Sequence, residues 1–158
     1  MAAADIPAVL AIAAQAHPDF PEEACVFAER QRLHPGGAWL LLLDGLPAGY
    51  FIGHPWFAGD APALDSLLGG LPEKSGTFYF HDLALLPAAR GTGAAAALVA
   101  AMLHHAASLG LDNASLVAVN GSLPFWSRHG FVADDRPVLR AKLRPYGSAA
   151  RLMVRPLA

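Results

Sequence analysis

Between residues 90 and 96 the chain reads Arg-Gly-Thr-Gly-Ala-Ala-Ala, a basic, glycine-bearing turn running into an alanine-rich stretch. Residues of these types in this order grip anions. The first N–H groups of a helix have no intrahelical partner, and the helix dipole favours negative charge there. Gly91 and Gly93 remove the side chains that would hold a diphosphate off the main chain, and Arg90 can add a charge-assisted contact. The apolar run ending at Pro87 precedes the turn, so the order is strand, loop, helix.

Three motifs compete for this loop. A P-loop requires Lys-Ser or Lys-Thr after its last glycine; Ala94 and Ala95 stand there, which discards it. Gly91, Gly93 and Ala96 satisfy the dinucleotide pattern G-x-G-x-x-A on paper. That pattern wants its glycines directly after the strand and an acid ending the next strand. Here Pro87 to Arg90 intervene, and the next strand ends in Asn120. The third motif is a coenzyme A loop. Arg90, Gly93 and Ala95 match Gln/Arg-x-x-Gly-x-Gly/Ala. Leu83-Ala84-Leu85-Leu86-Pro87 lies just upstream, and Asn120 and Phe125-Trp126-Ser127-Arg128-His129-Gly130-Phe131 lie downstream. In these residues, about a third of the chain, it resembles the GNAT superfamily of acyltransferases.

The resemblance implies an α/β fold: a central mixed sheet of about six strands with helices on both faces. It implies acetyl-CoA as acyl donor and a primary amine of a small molecule or peptide as acceptor, joined by direct attack. Gly91, Thr92, Gly93, Ala94, Ala95 and Ala96 would take the diphosphate with Arg90. The strand Leu83-Ala84-Leu85 would pair with the pantetheine arm, a Leu83 N–H facing the thioester oxygen. Asn120 would bond the arm from the facing strand. Phe125-Trp126 stands where many relatives carry an aromatic-Tyr pair whose phenol sits beside the sulfur. Indole is a far weaker acid than phenol, so Trp126 is expected to pack on coenzyme or core. The proton would then come from water, Ser127 or Tyr146. Proton removal from the amine calls for a base within hydrogen-bond reach; His81 and Asp82 are the candidates. Strand alternation sends them to opposite faces, so one is expected in the cleft. The alternative is a coenzyme A-binding module of the same fold with little turnover, and a nucleotide-dependent oxidoreductase is a third.

The elements that must position these groups can be read along the chain. Its 158 residues point to one domain large enough to bury a core. With 54% hydrophobic and 15% charged residues, disorder is excluded. A net charge of −2 gives no basic field for nucleic acid. Single Cys25 allows no internal disulfide, which fits a reducing cytoplasm, and is expected in buried packing. The apolar runs are too broken for a membrane span, and the His residues show no zinc spacing. Self-association as a homodimer is permitted by the apolar composition.

Helices are expected at Asp5–Ala16, capped by Asp5, and at Pro21–Leu33, opened by Pro21. The resembled fold has a strand before the first helix, and almost nothing precedes it here. Asp44-Gly45 joins a hairpin of Ala38–Leu43 and Pro47–Gly53. The apolar run Trp39–Leu43 suggests a strand covered on both faces. Residues 54 to 76 form a connection with a helical turn at Leu64–Leu68, where Trp56 and Phe57 either shape the acceptor pocket or cap the sheet. Then follow a strand Thr77–Leu86, a helix Thr92–Leu109 with a Leu98, Met102, His105, Leu109 stripe, and a strand Ser115–Val119. A helix Phe125–His129 and strands Phe131–Ala133 and Ala150–Arg155 close the chain, with a polar segment at 134–148.

Overall fold

The computed structural model describes residues 1–157. Six strands form one mixed sheet in the order β1-β2-β3-β4-β6-β5. They are β1 (Ala38–Leu43), β2 (Leu46–Trp56), β3 (Thr77–Leu85), β4 (Asn113–Ala118), β5 (Val132–Ala133) and β6 (Arg151–Pro156). Only β3 and β4 run parallel, and their connection carries the long helix α3 (Ala94–Ser108). The helices α1 (Ile6–Ala16) and α2 (Ala24–Leu33) cover one face. Val9, Ile12 and Phe27 pack there on Tyr50, Ile52 and Ala84. On the opposite face Val99, Met102 and Ala106 of α3 bury Phe51, Phe78 and Phe80. Each such ring removed from water contributes roughly 1.5–3 kcal/mol. The short α4 (Leu123–Arg128) lays Trp126 into the same core.

The hairpin turn forms as expected, with Asp44 and Gly45 both at positive φ, 51° and 79°, as a type I′ turn requires. Several expectations need correction. β1 is an edge strand, and Trp39, Leu42 and Leu43 are exposed rather than covered on both faces. α2 begins at Ala24, because Glu22 is drawn away to His81 and the Glu23 N–H donates to Asp65. Asp5 does not cap α1 forward; its carboxylate accepts from the Ala2 N–H at 2.7 Å. The buried stripe of α3 runs through Val99, Met102, Leu103 and Ala106, with Leu109 left exposed. The expected helical turn at Leu64–Leu68 is absent among the described residues, whereas the polar segment 134–148 holds a helix α5 (Pro137–Lys142) and a turn at Arg144–Tyr146. Cys25 is exposed, not buried. No strand precedes α1 among the described residues, and no described helix is long and apolar enough to cross a membrane.

Candidate active site

Two irregularities in β3 make the site. The first is its short pairing with β4. Phe78, Tyr79 and Phe80 pair with Ala114, Ser115 and Leu116, and beyond Phe80 the two strands separate. The second is a bulge. Ile52 of β2 pairs with Asp82, but the next residue, Gly53, pairs with Phe80, so His81 is an extra residue on β3. A bulge breaks alternation. Thus His81 and Asp82 both turn to the α1–α2 side, and both line the cleft, against the expectation of one on each face.

Leu86 N–H donates to Ala48 O at 2.8 Å, and Ala84 opposes Tyr50 in the same phase of the ladder. Ladder groups alternate in direction, so Leu83 and Leu85 aim their N–H and C=O into the gap. Ala84 also lines the cavity, while its backbone groups face Tyr50 of β2. The unpaired edge from His81 to Leu85 opens a cavity of about 490 Å³ between β3 and β4.

At the far end of that edge the main chain turns through Pro87–Ala89 into the glycine loop. Gly91 and Gly93 have φ 75° and 85°, and a Cβ at either would meet open space. The left-handed conformation, not crowding, therefore calls for glycine at both. The Thr92 hydroxyl donates to Ala89 O at 2.8 Å and accepts weakly from Ala94 N–H at 3.3 Å. Among the described residues the N–H groups of Gly91, Thr92, Gly93, Ala95 and Ala96 enter no bond, the first intrahelical bond being Ala97 N–H to Gly93 O at 3.0 Å. These open amides at the N-terminus of a 15-residue helix fit a diphosphate. Arg90 Nε donates to Leu85 O at 3.2 Å and leaves the guanidinium on the cavity wall. Asn120 lines the cavity from a left-handed turn (φ 50°) just past β4, not from the strand itself.

The chemistry-bearing side chains meet at the start of the gap. His81 Nε2 lies 2.8 Å from Glu22 Oε2, both side chains nearly buried. Asp82 accepts a short hydrogen bond from the Tyr50 hydroxyl, and its other oxygen sits 3.0 Å from His17 Nε2. Burial works against charge on Asp82, but His17 and Tyr50 outweigh it and hold the carboxyl below its usual range. The Asp82 carboxylate in turn raises His17, and burial beside that carboxylate pushes Tyr50 far above an ordinary phenol. His17, Glu22 and Tyr50 were missed from the sequence. The signal in the sequence is small: His17 stands just before Pro18 where the first helix stops, and Glu22 is one of two adjacent acids at the start of the second.

Tyr146 reaches the cavity from the C-terminal segment. Its hydroxyl donates to Pro62 O at 2.6 Å. Burial pushes its pKa up to about 12. Trp126 lines the cavity with Phe125, but its ring is in the core, with ring centres 6.1 Å from Phe80 and 5.5 Å from Phe131. Ser127 and Phe57 are exposed and Trp56 is half-buried, and all three lie outside the lining. His105 of the adjacent pair His104-His105 meets His34 at 2.9 Å, and no cluster of three metal-ligating side chains occurs among the described residues.

The acetyltransferase (GNAT) family model matches residues 6–131. No curated protein matches the chain. Among solved structures, the loading GNATL domain of CurA from Lyngbya majuscula superposes with a TM-score of 0.81 at 14% identity, over 99% of this chain and 95% of that one. The ribosomal-protein-S18-alanine N-acetyltransferase from Escherichia coli gives 0.69 at 17% identity, over 100% and 91%. A Mycobacterium tuberculosis protein in complex with CoA gives 0.71 at 15% identity, over 99% and 96%. At such identities these likenesses speak for the fold.

Proposed function

The chain belongs to the acetyltransferase (GNAT) family, and from that premise we propose that it moves an acetyl group from acetyl-CoA to a primary amine by direct attack. The observation that carries the proposal is the continuity of the unpaired β3 edge with the open amides of the glycine loop. A strand edge recognises an amide-bearing chain by main-chain hydrogen bonds, and a helix N-terminus recognises phosphate. Here one runs into the other. Bound acetyl-CoA would supply the activated acetyl group as a thioester.

The residues divide the remaining work. Leu83 and Leu85 hold the arm, with Asn120 facing them and Phe125 and Trp126 walling it. Gly91 to Ala96 and Arg90 hold the diphosphate. The Leu83 N–H stabilises charge developing on the carbonyl oxygen. His81 is the base: with Nε2 directed at Glu22, Nδ1 is left to accept the proton of the attacking amine, directly or through one water. The C–N bond forms, the C–S bond breaks, and the leaving thiolate takes a proton from solvent. Asp82 is the charge anchor that holds His17 and Tyr50 around the gap. Tyr146 comes to the cleft, but its proton is bonded to Pro62 O, which favours a wall over an acid. The setting is a single domain in a reducing cytoplasm, and exposed Trp39, Leu42 and Leu43 on the β1 edge support self-association as a homodimer.

Calorimetry with CoA, together with thiol release from acetyl-CoA across an amine panel, tests the proposal. Binding and turnover are expected. Gly93→Val places a branched side chain at φ 85° and is expected to weaken CoA binding by about tenfold or more. Undiminished affinity in a folded variant would remove the proposal's basis. Binding without acetylation of any amine would favour a coenzyme A-binding module instead.

A further inference from the structure

The cleft has two chemically different ends. β3 spans about 20 Å from Tyr79 to Leu85, so the loop end, with Arg90 and the open amides, is remote from the end where Tyr79 and His81 lie. Phe20, Leu64, Tyr79 and Tyr146 wall that second end, and Glu22 and His81 lie among them.

Its hydrogen-bonding capacity is one-sided. Two of the tyrosine hydroxyls nearby are spent as donors, Tyr50 to Asp82 and Tyr146 to Pro62 O. The Glu22 and Asp82 carboxylates set a negative, accepting character at this end. Arg90, at the other end, is the only Lys or Arg lining the cavity among the described residues. The nearest buried cation, Arg30, has no exposed side-chain surface and is held by Glu29 at 3.3 Å. A ligand carboxylate placed here would face two acids whose histidine neighbours, His17 and His81, are already turned to them, which is costly in a desolvated site. Beyond Tyr146 lies a second hollow of about 240 Å³, lined by Leu139, Leu143 and Leu152 and by Lys142, which is paired with Asp60 at 3.3 Å.

We infer that the acceptor is a small primary amine with an apolar, preferably aromatic, body and no carboxylate near the nitrogen. This inference rests on the transferase reading above. The ammonium approaches through the acidic pair Glu22 and Asp82, loses its proton at His81, and leaves its body against Phe20, Leu64 and Tyr146.

The test compares 2-phenylethylamine with phenylalanine, which differs by one carboxylate, and with a short peptide bearing an N-terminal phenylalanine. Thiol release from acetyl-CoA and mass detection of the product are followed for each. 2-Phenylethylamine is expected to exceed phenylalanine in kcat/KM by about 100-fold, the scale on which an unpaired buried polar group discriminates. In Leu64→Lys, which supplies the missing cation, that ratio is expected to fall about tenfold or more through KM for phenylalanine. Turnover of phenylalanine or the peptide equal to or above that of 2-phenylethylamine would overturn the acceptor class and leave the transferase reading standing. No turnover with any acceptor, although CoA binds, would overturn both.

Discussion

Asp82 joins three parts of the chain that are far apart in sequence: its own strand, Tyr50 of β2 and His17 at the end of α1. That makes it sensitive to pH in a signed way. His17 is raised in the fold, so the stability it adds is complete below its unfolded value of about 6.5 and is lost as pH climbs through the raised value. Asp82 is lowered, so its share is present above an unfolded value of about 3.9 and is lost as pH falls through the depressed value. The contact is therefore at full strength from about pH 4 to 6.5. In His17→Gln, urea midpoints measured from pH 3 to 9 are expected to fall furthest below those of the unaltered protein inside that window, and the gap should narrow on both sides. A gap independent of pH would show that His17 acts by packing alone. The partner of His81 makes a second case at this scale. Glu22→Gln keeps the shape but loses the charge that steadies an imidazolium, so kcat is expected to fall about 10- to 100-fold, with CoA affinity measured by calorimetry unchanged.

Among the elements, the bulged strand β3 decides the most. Gly53 sits opposite the bulge, and a Cβ there would come within 2.7 Å of Phe78 and 2.8 Å of Phe51. Gly53→Ala is expected to destabilise the fold by about 1–3 kcal/mol, read from chemical denaturation. The sequence made the anion loop and the hairpin legible, because both depend on neighbours in the chain: Gly91 and Gly93 before an alanine run, and Asp44-Gly45 between apolar runs. It could not show the bulge, since alternation presumes one-to-one pairing and nothing near His81 marks an extra residue. Nor could it show that Glu22 leaves its helix for a partner 59 residues away. The run Trp39–Leu43 misled because an edge strand and a buried one can share an apolar composition. Helix α5 escaped because Pro137 and its charged neighbours read as a polar connection, while only Leu139 and Leu143 reveal the face it buries.

At the scale of the molecule, the cleft takes one wall from each sheet face and its rim from two segments outside the sheet, the connection 57–76 and the C-terminal turn at Arg144–Tyr146. The connection is tied at several points. The Gly76 N–H donates to Trp56 O, Asp65 bonds the Glu23 N–H at 2.7 Å, and Tyr146 holds Pro62 O. The carboxylate of Glu29 takes the N–H groups of Leu68 and Gly69 at 2.6 and 3.0 Å while it neutralises buried Arg30. A twenty-residue stretch without helix or strand would ordinarily be the first place a protease cuts. Here it is lashed to a charge sealed inside the protein. Deuterium uptake at Leu68 and Gly69 should be slow, and brief digestion should spare the segment. Glu29→Ala should bring rapid exchange and early cleavage there together, because the same side chain keeps the rim still and the guanidinium tolerable in the dark of the core.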